Sequence, residues 1–385
     1  MVLSAFALFN LVSVLFGLFN FRIGYWLMLV SGLVADPLRK LTPGTPFLFS
    51  VLFVPIFVAA FVKQKSGTLK RQRMVVFHKN LVTPTYFFLF CILFSLILSL
   101  INNVPVQAVI LSLAQYLCLM VGVQAGYYLA NREIDVMKIL KHFVILTTPF
   151  LLSVIPDFFG AREQWPILRT MGFMEQDYVQ YHGGHPLVMR NGIFRNPEGM
   201  GWFAMVEAIV ALFLMVRSQK PRSRLMYMVL ALLGLFCILA SGRRKMFYGV
   251  AIYAVIFGLF TLKKNILKAA GFGLMILTLF GGGYLFVRHR ANFSIYLESA
   301  KSGAAVINER LKENTFGSVL FALEKTGFLG RGLGVATQGA GRFMEGAESL
   351  FIEAGAGKII AEIGVPGTLA FRLLLFAFFQ SCFRM

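Results

Sequence analysis

Leu81-Val-Thr-Pro-Thr-Tyr-Phe-Phe-Leu-Phe-Cys-Ile-Leu-Phe-Ser-Leu-Ile-Leu-Ser-Leu-Ile101 carries no charged side chain from end to end. A helix needs about 20 apolar residues to cross a hydrocarbon core ~30 Å thick, and this run has that length. In lipid, every backbone N–H and C=O must be paired within the segment, so the run reads as a helix. A β-barrel would show short alternating strands instead. Further runs of the same kind lie on both sides, at 3–20, 23–35, 47–62, 104–130, 143–156, 199–216, 225–241, 246–262, 266–287 and 355–380. The first two are separated by Arg22 and predict either a tight hairpin or one re-entrant piece. The expected fold is an all-α polytopic bundle of about 10–11 spans.

Composition agrees. The chain is 58% hydrophobic and only 14% charged, where a soluble domain carries roughly 25% charged residues. Its mean hydropathy is +0.74. Forty-one Phe exceed the needs of an aqueous core but suit lipid-facing helices. The net charge of +20 could suggest nucleic acid, yet many basic residues sit in short loops between spans, where they orient a membrane protein. Nucleic acid is therefore not an expected partner; membrane lipids are. Cys91, Cys118, Cys237 and Cys382 lie in or beside apolar runs with neither disulfide nor metal spacing. The first run lacks a basic leader and a small-residue cleavage site, so it reads as a retained span.

Lys and Arg placement sets the orientation. Lys63-Gln-Lys-Ser-Gly-Thr-Leu-Lys-Arg-Gln-Arg73 is the strongest cytoplasmic marker, and alternation from it puts 131–142, 217–224 and 263–265 inside as well. Each of those is basic. Glu133, Asp135 and Lys138 read as a solvated or interfacial cytoplasmic face. The organisation that follows is N-terminal spans over 1–156, an outer loop over 157–198 and central spans over 199–287. A large outer loop over 288–350 and a final span over 351–385 complete it.

One turn breaks the rule. Ser241-Gly-Arg-Arg-Lys245 falls on the outer side with three adjacent positive charges. Its side chains either snorkel toward headgroups or form an anion site, for which the arginine fork suits phosphate oxygens. Two outer segments accompany it. Arg190-Asn-Gly-Ile-Phe-Arg-Asn-Pro-Glu-Gly199 leads into the span at 199–216, with Asn196-Pro197 as a helix start. Arg190 and Arg195 then lie near a helix N-terminus, which favours anions. The long loop opens with Arg288-His-Arg290 and contains Arg310 in a helical pattern over 296–325. It then reaches Gly327-Phe-Leu-Gly-Arg-Gly-Leu-Gly334, Glu345-Gly-Ala-Glu-Ser-Leu-Phe-Ile-Glu353 and Glu362-Ile-Gly-Val-Pro-Gly367. The glycine cluster has the composition of a phosphate cradle, but no Gly-Lys-Ser/Thr follows it.

The order of these motifs, over about 186–375, resembles the O-antigen ligase and polysaccharide polymerase superfamily of bacterial membrane proteins. That resemblance implies a GT-C-like bundle in the cytoplasmic membrane with a large periplasmic loop. It also implies transfer of a lipid-diphosphate-linked oligosaccharide to a glycan or lipid acceptor, with no cofactor and no metal. Arg190, Arg195, Arg243 and Arg244 would hold the donor diphosphate, and Arg310 would act with them. In the ligases a His precedes the last Glu–x–Gly–x–Pro–Gly segment. Here that place reads Ala347-Glu-Ser-Leu350 without a His, and Glu348 there is either the base that activates an acceptor hydroxyl or a structural residue. Relatives of this type continue past the last span, so the sequence is compatible with a piece of a longer chain.

Other residues keep open readings. His182 and His185 are loop-packing or hydrogen-bonding residues, residues with a catalytic or acceptor-side role, or two ligands of an incomplete metal site. Glu198 and Glu207, at the start of and within a span, are functional candidates or partners of a nearby Arg. Two further function classes stay open. One is a transporter or flippase of lipid-linked glycan, which predicts midplane polar groups and broken helices. The other is a non-catalytic assembly partner.

Overall fold

The computed structural model describes residues 2–41, 79–117, 136–161, 179–182, 185–264, 316–337 and 355–384, with isolated residues in 55–63 and 164–168 and residue 350. In chain order the described elements begin with α1 (Val2–Phe19), α2 (Phe21–Leu41), α3 (Lys79–Ile101) and α4 (Val106–Leu117). Next come α5 (Val136–Leu152), α6 (Val154–Phe158), a hairpin β1 (Val179–His182) and β2 (His185–Val188), and α7 (Pro197–Arg217). The last are α8 (Pro221–Ala240), α9 (Arg244–Lys264), α10 (Ser318–Thr326) and α11 (Gly355–Arg384). Five stretches among the described residues are long and apolar enough to cross a membrane: Leu81–Ile101, Val136–Phe158, Pro197–Arg217, Pro221–Ala240 and Gly355–Phe378. The expected span at 266–287, most of that at 47–62 and residues 118–130 of that at 104–130 lie outside the described residues.

The chain forms two compact units that interleave along the sequence: residues 1–70 with 133–304, and residues 71–132 with 305–385. In the first unit, α1 and α2 make the antiparallel hairpin that Arg22 allowed. The chain reverses at Asn20, Phe6 packs on Ala35, and Ser31 Oγ donates to Asn10 Oδ1 at 2.6 Å. α2 runs to Leu41 rather than ending near residue 35. Its last turn carries Asp36 and Lys40, both buried; hydropathy treats such charges as the end of a span, but here each has a partner. Asp36 accepts the Arg195 N–H and Lys40 donates to the Gly192 carbonyl.

α7 and α8 form the centre of this unit. Asn196 caps α7, its Oδ1 accepting the Gly199 N–H at 2.6 Å, and Pro197 takes the first helical position. The two helices touch through small residues. Ala204 and Ala208 of α7 face Gly234 of α8, where a Cβ would stand 2.8 Å from the Ala204 carbonyl oxygen. Without a hydrophobic drive between helices in lipid, such close van der Waals approach is what holds them. Ser218 begins the short connection at one end, so the 190–196 turn and the 241–243 turn share the other. The outer segment also holds the one departure from an all-helical chain among the described residues. Val179 pairs with Val188 and His182 with His185 across residues 183 and 184, and two glycines there are a composition that tight hairpins favour.

In the second unit α3 and α4 are joined by a turn at 102–105, and α11 lies along α3 with Phe88 and Phe371 at 5.5 Å. α11 breaks at Gly364 (φ 69°, ψ −176°). The groups freed by the break are paired by the segment after α10. Val365 N–H donates to the Phe328 carbonyl at 2.9 Å, and Arg331 N–H donates to the Ala361 carbonyl at 2.8 Å. A broken helix at membrane depth persists where protein re-pairs its backbone.

Candidate functional site

Six successive backbone N–H groups, from Arg190 to Arg195, define the site in the first unit. Arg190 N–H donates to the Ala240 carbonyl at 2.9 Å, tying the turn to the end of α8. Asn191 and Gly192 N–H donate to Asp157 Oδ2 at 3.1 and 2.8 Å. Ile193 N–H donates to Ser153 Oγ at 3.0 Å, and Phe194 N–H to the Asn191 carbonyl at 3.0 Å. Arg195 N–H donates to Asp36 Oδ2 at 2.9 Å. On the acceptor side, the Gly192 carbonyl takes Lys40 Nζ at 2.6 Å and the Phe194 carbonyl takes Asn191 Nδ2 at 2.5 Å. Phe194 itself is buried between Phe150 and Phe203. Gly192 sits at φ +54°, and a Cβ there would lie 2.4 Å from Ser153 Oγ, so the turn needs glycine.

The chemical consequence is specific. Because these N–H groups are spent inside the fold, and Asn196 occupies the Gly199 N–H, an anion at this end would be held by side chains rather than by the turn backbone. Those side chains are cationic. Arg190 reaches Asp157 Oδ1 at 3.6 Å through one terminal nitrogen, yet its Nε is buried and has no hydrogen-bond partner. Arg243 follows the Ser241-Gly242 turn, whose Gly242 packs on Leu187 and Met189 at the end of the hairpin. Its backbone N–H donates to Ser241 Oγ at 3.1 Å, and its Nε is likewise buried without a partner. A buried unpaired donor costs about 1–3 kcal/mol, and native folds rarely leave one unexplained. Two such guanidinium nitrogens in adjoining turns fit an oxyanion that supplies the acceptors.

The remaining expected residues divide. Arg195 is half-buried in the same turn. Arg244 is the first residue of α9. Lys245 pairs with Glu198 at the start of α7, which settles one of the three turn charges by a local partner. Glu207 is fully buried at the middle of α7; Thr148 Oγ1 donates to its Oε1 at 3.0 Å, and its Oε2 has no partner. Arg310 and Glu348 lie outside the described residues. So the structure brings Arg190, Arg195 and the Arg243 turn to one end of one unit. Among the described residues no three His, Cys, Asp or Glu side chains gather as metal ligands.

Sequence reasoning did not single out Asp157, Ser153, Asp36 or Lys40, the residues that hold the turn. A signal was present. Asp36 and Lys40 stand four apart just past one expected span, and Asp157 stands just past another, where unpartnered charges would be costly.

A second polar centre lies in the other unit. Glu362 of α11 is fully buried. Ser112 and Tyr116 of α4 donate to its Oε2 at 2.8 and 2.9 Å, and Thr337 donates to its Oε1 at 2.5 Å. With three hydroxyl donors it works as a tie between α4, α11 and the segment after α10. The glycine cluster serves the same packing. At Gly332 a Cβ would meet the Ser99 backbone nitrogen at 2.4 Å, so that glycine is set against the backbone of α3 rather than open to a phosphate.

Fold and site together define a multi-pass helical membrane protein in which two arginines, in adjoining turns at one end of the first unit, each keep a buried Nε without a partner. No family model, no curated protein and no solved structure matches the chain.

Proposed function

We propose that the chain is a membrane glycosyltransferase of the polysaccharide polymerase or O-antigen ligase type, acting on the outer face of the bacterial cytoplasmic membrane. The donor is a lipid-diphosphate-linked oligosaccharide. A sugar hydroxyl of the acceptor attacks the anomeric carbon, and the bond to the lipid diphosphate breaks. Glu348 takes the hydroxyl proton. Arg190, Arg195, Arg243 and Arg244, joined by Arg310, offset the charge that develops on the departing diphosphate. The observation that carries this reading is the pair of buried, unpartnered Nε atoms on Arg190 and Arg243, in turns that the positive-inside pattern assigns to the outer side. The test is a gel of glycan length from purified protein and donor. A ladder that disappears in Arg243→Ala supports the reading; an unchanged ladder sinks it.

One observation favours a second reading, a transporter or flippase of lipid-linked glycan. Such proteins carry polar groups at the midplane and broken helices. Glu207 is buried mid-span and α11 breaks at Gly364. Glu207→Gln separates the two: a transporter loses donor translocation into the outer leaflet, whereas the glycosyltransferase keeps its ladder.

A further inference from the structure

α10, Phe316 just before it and the two residues after its end glycine carry exposed large apolar side chains. Leu320 is 67% exposed, Phe316 70%, Phe321 42%, Phe328 62% and Leu329 48%. The opposite side of α10 is used, since Ala322 is buried among Ala336, Ile360 and Ala361, with Val319 and Leu323 packed beside it. Five large apolar side chains on a short segment are more than a water-facing loop normally shows.

The level at which this segment sits names what covers it. Gly332 lies against the Ser99 backbone, and Asn102 Nδ2 donates to the Arg331 carbonyl at 3.0 Å. These contacts put residues 331–332 beside the last turn of α3, where Leu100 and Ile101 are 65% and 68% exposed and end a membrane-spanning run. On the other side, Phe328 bonds to Val365 at the break of α11, itself inside a membrane-spanning stretch. The backbone there is prepared for an apolar medium. Gly327 N–H is taken by the Leu323 carbonyl, the Phe328 carbonyl by Val365 and Arg331 N–H by Ala361. Non-helical backbone at this depth is tolerated only when paired in this way. Glu324, one turn on from Leu320 and Phe321, and Lys325 are exposed on the same side of the helix, a mixed apolar and charged face that suits a headgroup boundary, as in helices that lie in the plane of an interface.

We propose that α10 with Phe328 and Leu329 is an interfacial anchor. Leu320, Phe321, Phe328 and Leu329 reach the upper acyl chains of the leaflet that surrounds the Ile101 end of α3, with Glu324 and Lys325 among the headgroups. The partner is bilayer lipid. The proposal does not depend on the glycosyltransferase reading.

The test places a tryptophan on the exposed side in the full chain, as Leu320→Trp and separately Phe328→Trp. Each variant is reconstituted in vesicles of lipid brominated near the top of its acyl chains. Emission of the three native tryptophans is subtracted with the unsubstituted protein. Both added tryptophans are expected to emit to the blue and to lose most of their intensity in the brominated lipid. Aqueous iodide is expected to leave them largely unquenched. Emission that brominated lipid does not change, whether or not iodide reaches it, overturns the proposal by placing that side in water or under a protein partner. Because both positions are exposed, neither substitution disturbs the core, and a normal size-exclusion peak checks that each variant is folded.

Discussion

Replacing Asp157 should loosen the 190–196 turn by an amount that its contacts set. Its Oδ2 takes the N–H groups of Asn191 and Gly192, both buried. Alanine leaves two buried donors without an acceptor, at about 1–3 kcal/mol each, so the loss is about 2–6 kcal/mol. The Arg190 ion pair, at 3.6 Å, is too long for a hydrogen bond and adds less than either of these contacts. Asparagine keeps an acceptor oxygen but not the charge. Charge-assisted bonds are roughly twice as strong as neutral ones, so Asp157→Asn should cost about half as much. Unfolding of such proteins is often irreversible, which makes heat challenge followed by size exclusion in detergent a suitable assay. The order of loss should be Ala, then Asn, then the unchanged protein. An Asp157→Ala protein that survives heating as well as the unchanged one would refute the account of how the turn is held.

Four further outcomes follow from the same geometry. Gly192→Ala should destabilise by about 1–3 kcal/mol, because φ +54° and Ser153 Oγ at 2.4 Å both oppose a Cβ; thermal challenge reads it. Glu362→Ala should cost about 3–9 kcal/mol by stranding the hydroxyls of Ser112, Tyr116 and Thr337 at about 1–3 kcal/mol each. Glu362→Gln, which keeps one acceptor, should rank between it and the parent in the same assay. Arg243→Ala should abolish glycan lengthening without lowering thermal survival, since its Nε has no partner to lose. Lys40→Met should lower thermal survival by stranding the buried Gly192 carbonyl, and a variant as robust as the parent would remove Lys40 from the frame.

How much of this was legible in the sequence depends on which physical signal each feature carries. Spans such as 199–216 and 225–241 appear within a few residues as α7 and α8, because uninterrupted apolarity over a bilayer's thickness is a strong signal. The Asn196-Pro197 start of α7 was legible because cap chemistry is local. α2 ran longer than expected because its terminal charges are paired through contacts more than 150 positions distant in the chain, which hydropathy cannot weigh. The hairpin at 179–188 was missed because short strands in an outer loop carry little periodicity. For the site, the arginines singled out at 190, 195 and 243 share one end of the first unit in the structure. What position and charge could not reveal is that the N–H groups of the turn are spent on Asp157, Ser153, Asp36 and two backbone carbonyls. That fact moves the expected anion contact from a helix N-terminus to the guanidinium groups. The glycine cluster misled for a related reason: glycines that let backbones touch look the same in sequence as glycines that let a phosphate approach.

The central claim is that Arg190 and Arg243 hold a lipid diphosphate, and direct binding tests it most plainly. Undecaprenyl diphosphate would be titrated into the protein in nanodiscs, with Arg190→Ala, Arg243→Ala and the double variant in parallel. Each lost charge-assisted contact is worth about 1.5–3 kcal/mol, so affinity should fall roughly tenfold or more per substitution. Undecaprenol, which lacks the diphosphate, should bind equally to all four proteins. Equal diphosphate affinity across the set would contradict the claim.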